Sequence, residues 1–150
     1  MKTLGIDYGT KKIGFAVSDE DGRIAFPRSV LKNDAGVFFA IKELIQKEKI
    51  ESIVLGESLD YSGKPNLIME KISAFKKLLE KETSLPVMFE SEFLSSKQAR
   101  NIHDSGELND ASAAAIILQS YLDREKSKKE KAHSINSGQE KSPTVDGENF

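Results

Sequence analysis

The chain has no cysteine, which excludes a disulfide framework and thiolate chemistry alike. It has only two histidines, His103 and His133, so a zinc ion would have to be completed by carboxylates, and no zinc centre is expected. No run of about eighteen apolar residues occurs, and the N-terminus enters a strand pattern without the charged and apolar regions of a signal peptide. A cytoplasmic chain that does not enter a membrane is therefore expected. Positive charge is not in excess either: the formal net charge is −2, which argues against a generally basic coat for nucleic acid but leaves room for a local basic rim. What is present, 150 residues of which 38% are hydrophobic, suffices for one domain around a single core.

Leu4 and Ile6, then Ile13, Phe15 and Val17, alternate with small or polar neighbours at period two, predicting two strands. Asp21-Gly22 is a hairpin signal, so a third strand through Ile24, Phe26 and Val30 should return antiparallel, with Pro27 marking an edge or a bulge. Asp34 is placed to cap a helix whose apolar residues Val37, Phe38, Ile41, Leu44 and Ile45 recur at helical spacing. Ser52-Ile53-Val54-Leu55-Gly56 reads as a buried parallel strand, a second helix follows from Asn66, and Pro86-Val87-Met88-Phe89 begins a fifth strand. Ser95-Ser96-Lys97-Gln98 fits a capping box for a short helix, and a last helix should run from Asn109 or Asp110 to about Leu122. From Arg124 the apolar pattern gives way to a polar, charged stretch, read as a disordered tail. The expectation is thus an α/β domain over 1–123, a ribonuclease-H-like mixed five-stranded sheet made of a three-stranded antiparallel meander plus two parallel strands, flanked by helices, and a tail over 124–150.

Acidic residues fall where such a sheet puts its binding edge. Asp7 ends the first strand, Glu57 follows the fourth, Glu92 ends the fifth, and Asp110 starts the last helix on a face shared with Ala113, Ala114, Ile117 and Tyr121. Each has an ordinary structural reading as well: Asp7 as a turn former with Gly9 at positive φ, Asp110 as a helix-start acid, Glu57 and Glu92 as surface acids. Converging carboxylates repel unless a divalent cation neutralises them, and an all-oxygen ligand set favours Mg²⁺ or Mn²⁺. Two such ions suit hydrolysis of a phosphodiester without histidine or cysteine. The metal ligands expected are Asp7, Glu57, Glu92 and Asp110. Lys11, Lys12, Arg23, Arg28, Lys97 and Arg100 form a candidate basic rim, and the backbone N–H groups of Gly9 and Thr10 a candidate phosphate nest.

IDYGTKKIGFAVSD, IVLGESLDYSGKPN, SEFLSSKQA and LNDASAAAIILQSYL, in that order over roughly residues 1 to 123, resemble the bacterial pre-16S rRNA nuclease family, also described as Holliday junction resolvases. The resemblance implies a ribonuclease-H-like fold and a metal-dependent endonuclease of 16S rRNA 5′-end maturation, with Asp7, Glu92 and Asp110 as catalytic acids and nucleic acid, pre-rRNA or branched DNA, as partner. Three departures from the family pattern stand out. Ser91 and Phe93 replace an acid and an arginine around Glu92, the stretch between Arg100 and Asp110 is short and weakly basic, and Glu57 follows Gly56 where an apolar residue is usual. The first two departures favour, as an alternative, a non-catalytic nucleic-acid-binding module of the same fold, against which the three retained acids tell, and the third makes Glu57 a candidate extra ligand. A branched-DNA nuclease is the other alternative, since the chemistry acts on a phosphodiester common to RNA and DNA. Asp-x-Gly-Thr also resembles the phosphate loop of actin-like and sugar kinases, but that fold clasps its nucleotide between two domains and this chain has one.

Overall fold

The structure, a computed structural model, describes residues 1–57, 67–91 and 110–146, with side chains as far as residue 132. The elements follow the order read from the sequence: β1 (Thr3–Asp7), β2 (Lys12–Ser18), β3 (Ala25–Lys32), α1 (Val37–Glu48), β4 (Ser52–Glu57), α2 (Leu67–Thr83), β5 (Val87–Ser91) and α3 (Asp110–Asp146). The strands form one sheet in the order β3-β2-β1-β4-β5. β1 pairs antiparallel with β2 and parallel with β4, β2 pairs antiparallel with β3, and β4 parallel with β5. This is the mixed sheet expected from the meander followed by two strand–helix alternations. Pro27 sits where expected, at an irregularity on the edge strand: the β2–β3 register shifts between Phe15, opposite Ser29, and Ala16, opposite Pro27.

Period-two alternation sorts side chains to two faces. Leu4, Ile6, Ile13, Phe15, Val17, Ile53, Leu55 and Val87 meet Val37 and Ile41 of α1 and Met69, Ile72, Phe75 and Leu79 of α2 in the larger core. The residues between them, Ala16 and Val54, meet Ala114, Ile117, Leu118 and Leu122 of α3 in a smaller one. Most of these side chains are almost wholly removed from water, which for a large aliphatic or aromatic residue is worth about 1.5–3 kcal/mol each before entropy is charged against it.

Three local expectations are corrected. Asp34 does not cap α1; its Oδ1 accepts from the Gly36 N–H at 3.0 Å and its carbonyl from the Val37 N–H, building the turn that delivers the chain to Gly36, the N-cap. The Asp21-Gly22 signal is not a two-residue hairpin: the loop spans Asp19 to Ile24, with Gly22 at φ +70° and the Asp19 carboxylate accepting from the N–H groups of Arg23 and Ile24. Those bonds, the Arg23 one foremost, hold the Asp19 carboxyl below the usual carboxylate range. Finally, the last helix does not stop near Leu122 but runs to Asp146. Leu122 is the last buried residue among its described side chains, and the following Arg-Glu-Lys-Ser-Lys-Lys-Glu-Lys consists almost entirely of strong helix formers, which need no packed face to favour the helical backbone. The short helix expected from Ser95 lies outside the described residues.

Candidate nuclease site

The site is set by how closely α3 approaches the sheet. Gly5 and Gly14 lie under it with no side chain to hold it away: a Cβ on Gly5 would stand 2.7 Å from Leu118 Cβ, and one on Gly14 would overlap the backbone carbonyl of Asp110. Gly14 is the cross-strand partner of Asp7. The start of α3 is therefore pressed onto the residue directly opposite Asp7, and Asp7 shares its face of β1 with Gly5, the face that α3 covers. Two half-buried acids, distant in sequence, are thus brought to neighbouring positions at one edge of the sheet. On the other side of Asp7, continuing the Ile6–Leu55 register by one residue, stands Gly56. Asp7 is thus flanked by glycine on both neighbouring strands. The signal for this was present in the sequence as small residues at alternate positions, Gly5, Gly14, Ala16 and Gly56, facing Ala111 and Ala114, but only the register brings them together.

The loop from Asp7 to β2 is held from both sides. Tyr8 turns to the larger core and packs on Phe75, ring centroids 4.9 Å apart, while Asn33 Nδ2 donates to the Gly9 carbonyl and the Asn33 N–H to that of Lys11, both at 2.9 Å. Gly9 does not take the positive φ expected of it: Gly22 is the one glycine at positive φ among the described residues. It is required for a different reason, since a Cβ there would overlap the Lys12 carbonyl. Thr10, Lys11 and Lys12 are exposed beside the acids.

Other candidates are placed elsewhere. Glu57 follows the parity of Ile53 and Leu55, which face α1 and α2, so alternation turns it to the face opposite Asp7 and Asp110. Arg28 is bound to Glu48 at 2.9 Å on that opposite face, and Arg23 lies in the β2–β3 loop at the far end of the sheet; neither belongs to a rim around the acids. Glu92, Lys97 and Arg100 lie outside the described residues, Glu92 being the residue after the end of β5. Among the described residues no three Asp, Glu or His side chains are gathered as a metal-binding group. Asp7 and Asp110 supply two carboxylates, an all-oxygen donor set that suits a hard divalent cation and not zinc.

One acid not assigned to the site shares the α3 face: Glu90, two strands from Asp7, roughly 10 Å at ordinary strand spacing, with Gly56 between them. It is 7% exposed, and its Oε1 lies 2.6 Å from an Arg124 guanidinium nitrogen. The approach is off the direction of a hydrogen bond, so the contact is mainly Coulombic. Burial pushes the Glu90 carboxyl up, and Arg124 opposes that shift without cancelling it.

Comparison with known proteins agrees with this fold. The family model described as "RuvX: Holliday junction resolvase" matches residues 1–124. A protein of Nitratidesulfovibrio vulgaris (strain Miyazaki F) named "Putative pre-16S rRNA nuclease" is 37% identical over 139 residues, covering 86% of this chain and 98% of that one. A protein of the same name from Maridesulfovibrio salexigens is 35% identical, covering 83% and 99%. Among solved structures, Thermus thermophilus RuvC superposes with a TM-score of 0.54 at 19% identity over 85% of this chain and 97% of that one, a likeness of fold.

Proposed function

The chain belongs to the RuvX family of nucleases, and from that premise we propose that it cleaves phosphodiester bonds in the 5′-end maturation of pre-16S rRNA, with Asp7, Asp110 and Glu92 as its catalytic carboxylates. The observation that carries this reading is the seating of Asp110 on Gly14, directly opposite Asp7, which brings two distant acids to one open edge of the sheet. Mg²⁺ or Mn²⁺ would be held by these oxygens, and the chemistry such an ion supplies is charge neutralisation and Lewis acidity toward a phosphodiester. The protein's own part is positional. Gly14 lets the start of α3 seat opposite Asp7, the Tyr8–Phe75 contact fixes the loop, and the N–H groups of Gly9 and Thr10, with the exposed Lys11 and Lys12, face the phosphate backbone beside the acids. Lys97 and Arg100, which lie outside the described residues, are proposed as further contacts to the same backbone. Glu57, by its face, is the weakest of the four proposed ligands. An rRNA precursor as substrate places the protein in the cytoplasm; among the described residues no helix is long and apolar enough to cross a membrane.

The test is cleavage of labelled rRNA precursor and a four-way DNA junction side by side, with and without Mg²⁺ or Mn²⁺. Asp7→Asn keeps the turn but loses the charge, and is expected to lower cleavage by about 10²-fold or more with the fold intact, whereas Glu57→Gln stays within about threefold. Cleavage of the junction alone would replace pre-rRNA with branched DNA. Undiminished activity of Asp7→Asn would remove the proposed site.

A further inference from the structure

The family match ends at residue 124, but α3 does not. Beyond Leu122, the last buried residue among its described side chains, the helix carries Arg124, Lys126, Lys128, Lys129 and Lys131 against Glu125 and Glu130, a net charge of +3 in eight residues of a chain whose total is −2. All but Glu125 are exposed. We propose that this helical extension is a nucleic-acid arm that binds backbone phosphates flanking the cleavage point; the proposal rests on the nuclease reading above.

Three features of the arm bear on what it holds. First, it is fixed where it leaves the sheet. Arg124 is tied to the buried Glu90 at 2.6 Å and lies over the Tyr121 ring at 5.8 Å, so the helix continues from the packed part in a set direction. Second, Arg124, Lys128 and Lys131 recur at i, i+4 and i+7, a stripe on the face that carries Tyr121 onto the sheet, while Lys126 and Lys129 lie on the other side. Lys128 is partly neutralised by Glu125 at 3.3 Å, which leaves the other lysines with the larger share of the free charge. Third, fourteen residues separate Asp110 from Arg124, about 21 Å along a helix. The arm therefore reaches phosphates several nucleotides from the acids and contributes to holding substrate rather than to the chemical step. A polyanion is the occupant that fits, because Arg124–Lys131 contains no apolar residue and so lacks the face that an interfacial membrane helix buries. An extended array of phosphates matches lysines spread around a helix, and backbone affinity of this kind needs no base contact.

The experiment uses the full chain with Lys126, Lys128, Lys129 and Lys131 all changed to Gln, which preserves helix propensity, and a second variant with all four changed to Arg, which preserves charge. Binding of single-stranded RNA in EDTA, where metal-dependent cleavage is suppressed, is followed against salt. The Gln variant is expected to bind about tenfold or more weakly at low salt and to show a salt slope shallower by about two to three, near 0.7 for each phosphate no longer neutralised, while the Arg variant behaves as the parent. In cleavage assays KM rises and kcat at saturation stays within about threefold. Equal affinity and equal salt slope in parent and Gln variant overturn the proposal. So does unaltered RNA binding combined with abolished binding to phosphatidylserine vesicles or to polyglutamate, which would assign the arm to a membrane or an acidic protein. Should neither chain cleave while the salt slope still falls, the arm stands and the nuclease reading fails.

Discussion

The two faces of the sheet are built from different materials. The face toward α1 and α2 is filled by Leu, Ile, Val and Phe, and its interlocked side chains hold the helices at a distance set by their bulk. The face toward α3 is sparser, with Gly5, Gly14, Ala16 and Gly56 beside the single branched Val54, so the helix backbone lies almost on the strands at Gly5 and Gly14. Close approach forgoes apolar volume but gives positional accuracy, because a peptide group resting on a glycine has no rotamers by which to adjust. Both described catalytic candidates, Asp7 and Asp110, belong to the accurate face; the bulk of the buried apolar surface belongs to the other. The difference teaches that stability and site geometry are separable in this fold, and that is open to test.

The largest effect on stability is expected on the bulky face. Leu55→Ala removes a wholly buried side chain and should cost about 2–5 kcal/mol by denaturant unfolding, with cleavage per folded molecule nearly unchanged. A matching fall in cleavage by the folded fraction would show that the faces are not separable. Next comes Gly14→Ala, where the added Cβ meets the Asp110 carbonyl and must lift the start of α3. A cost of about 1–3 kcal/mol is expected, with a fall in cleavage larger than the stability loss explains, read from activity in conditions where the variant is fully folded. Retained activity would mean that α3 can shift without moving the site.

A smaller contrast lies in acid–base behaviour. Glu48, at the end of α1, accepts from Lys2 at 3.2 Å and pairs with Arg28, and the Lys2 hydrogen bond foremost holds its carboxyl below the ordinary glutamate value of 4.5. Its contribution is present above that ordinary value and is lost as the pH falls through the lower folded-state value. Glu90 has the opposite sign: burial raises it above 4.5, so the folded state is favoured with it protonated, and stability declines as the pH rises from 4.5 through the raised value. Melting temperature against pH from about 3 to 7 should therefore respond to Glu48→Gln on the acid limb and to Glu90→Gln on the limb above it. A response of both variants on the same limb would contradict the assignment. Smallest of all is removal of residues 127–150, which begin beyond the buried Leu122 of α3 and should leave the melting temperature within about 2 °C. A cooperative loss of folding would show that this stretch docks on the domain.

The sequence by itself determined the kinds and order of the elements, because alternation at period two and apolar spacing at helical period are local properties of the chain and the hydrophobic effect acts on them directly. It also marked Asp7 and Asp110 as candidates, since a carboxylate at a strand end and one at a helix start are visible in the chain itself. Pairing decided the rest. Which acids share a face depends on strand parity, and by parity Glu57 turns away from Asp7 although both end central strands. That Gly14 matters to Asp110 depends on a cross-strand register and a helix docking between residues nearly a hundred positions apart, and a single meeting of strand and helix likewise joins Glu90 to Arg124. Such contacts leave no periodic trace, because they are made by single residues meeting once, and only the folded chain brings them into van der Waals range.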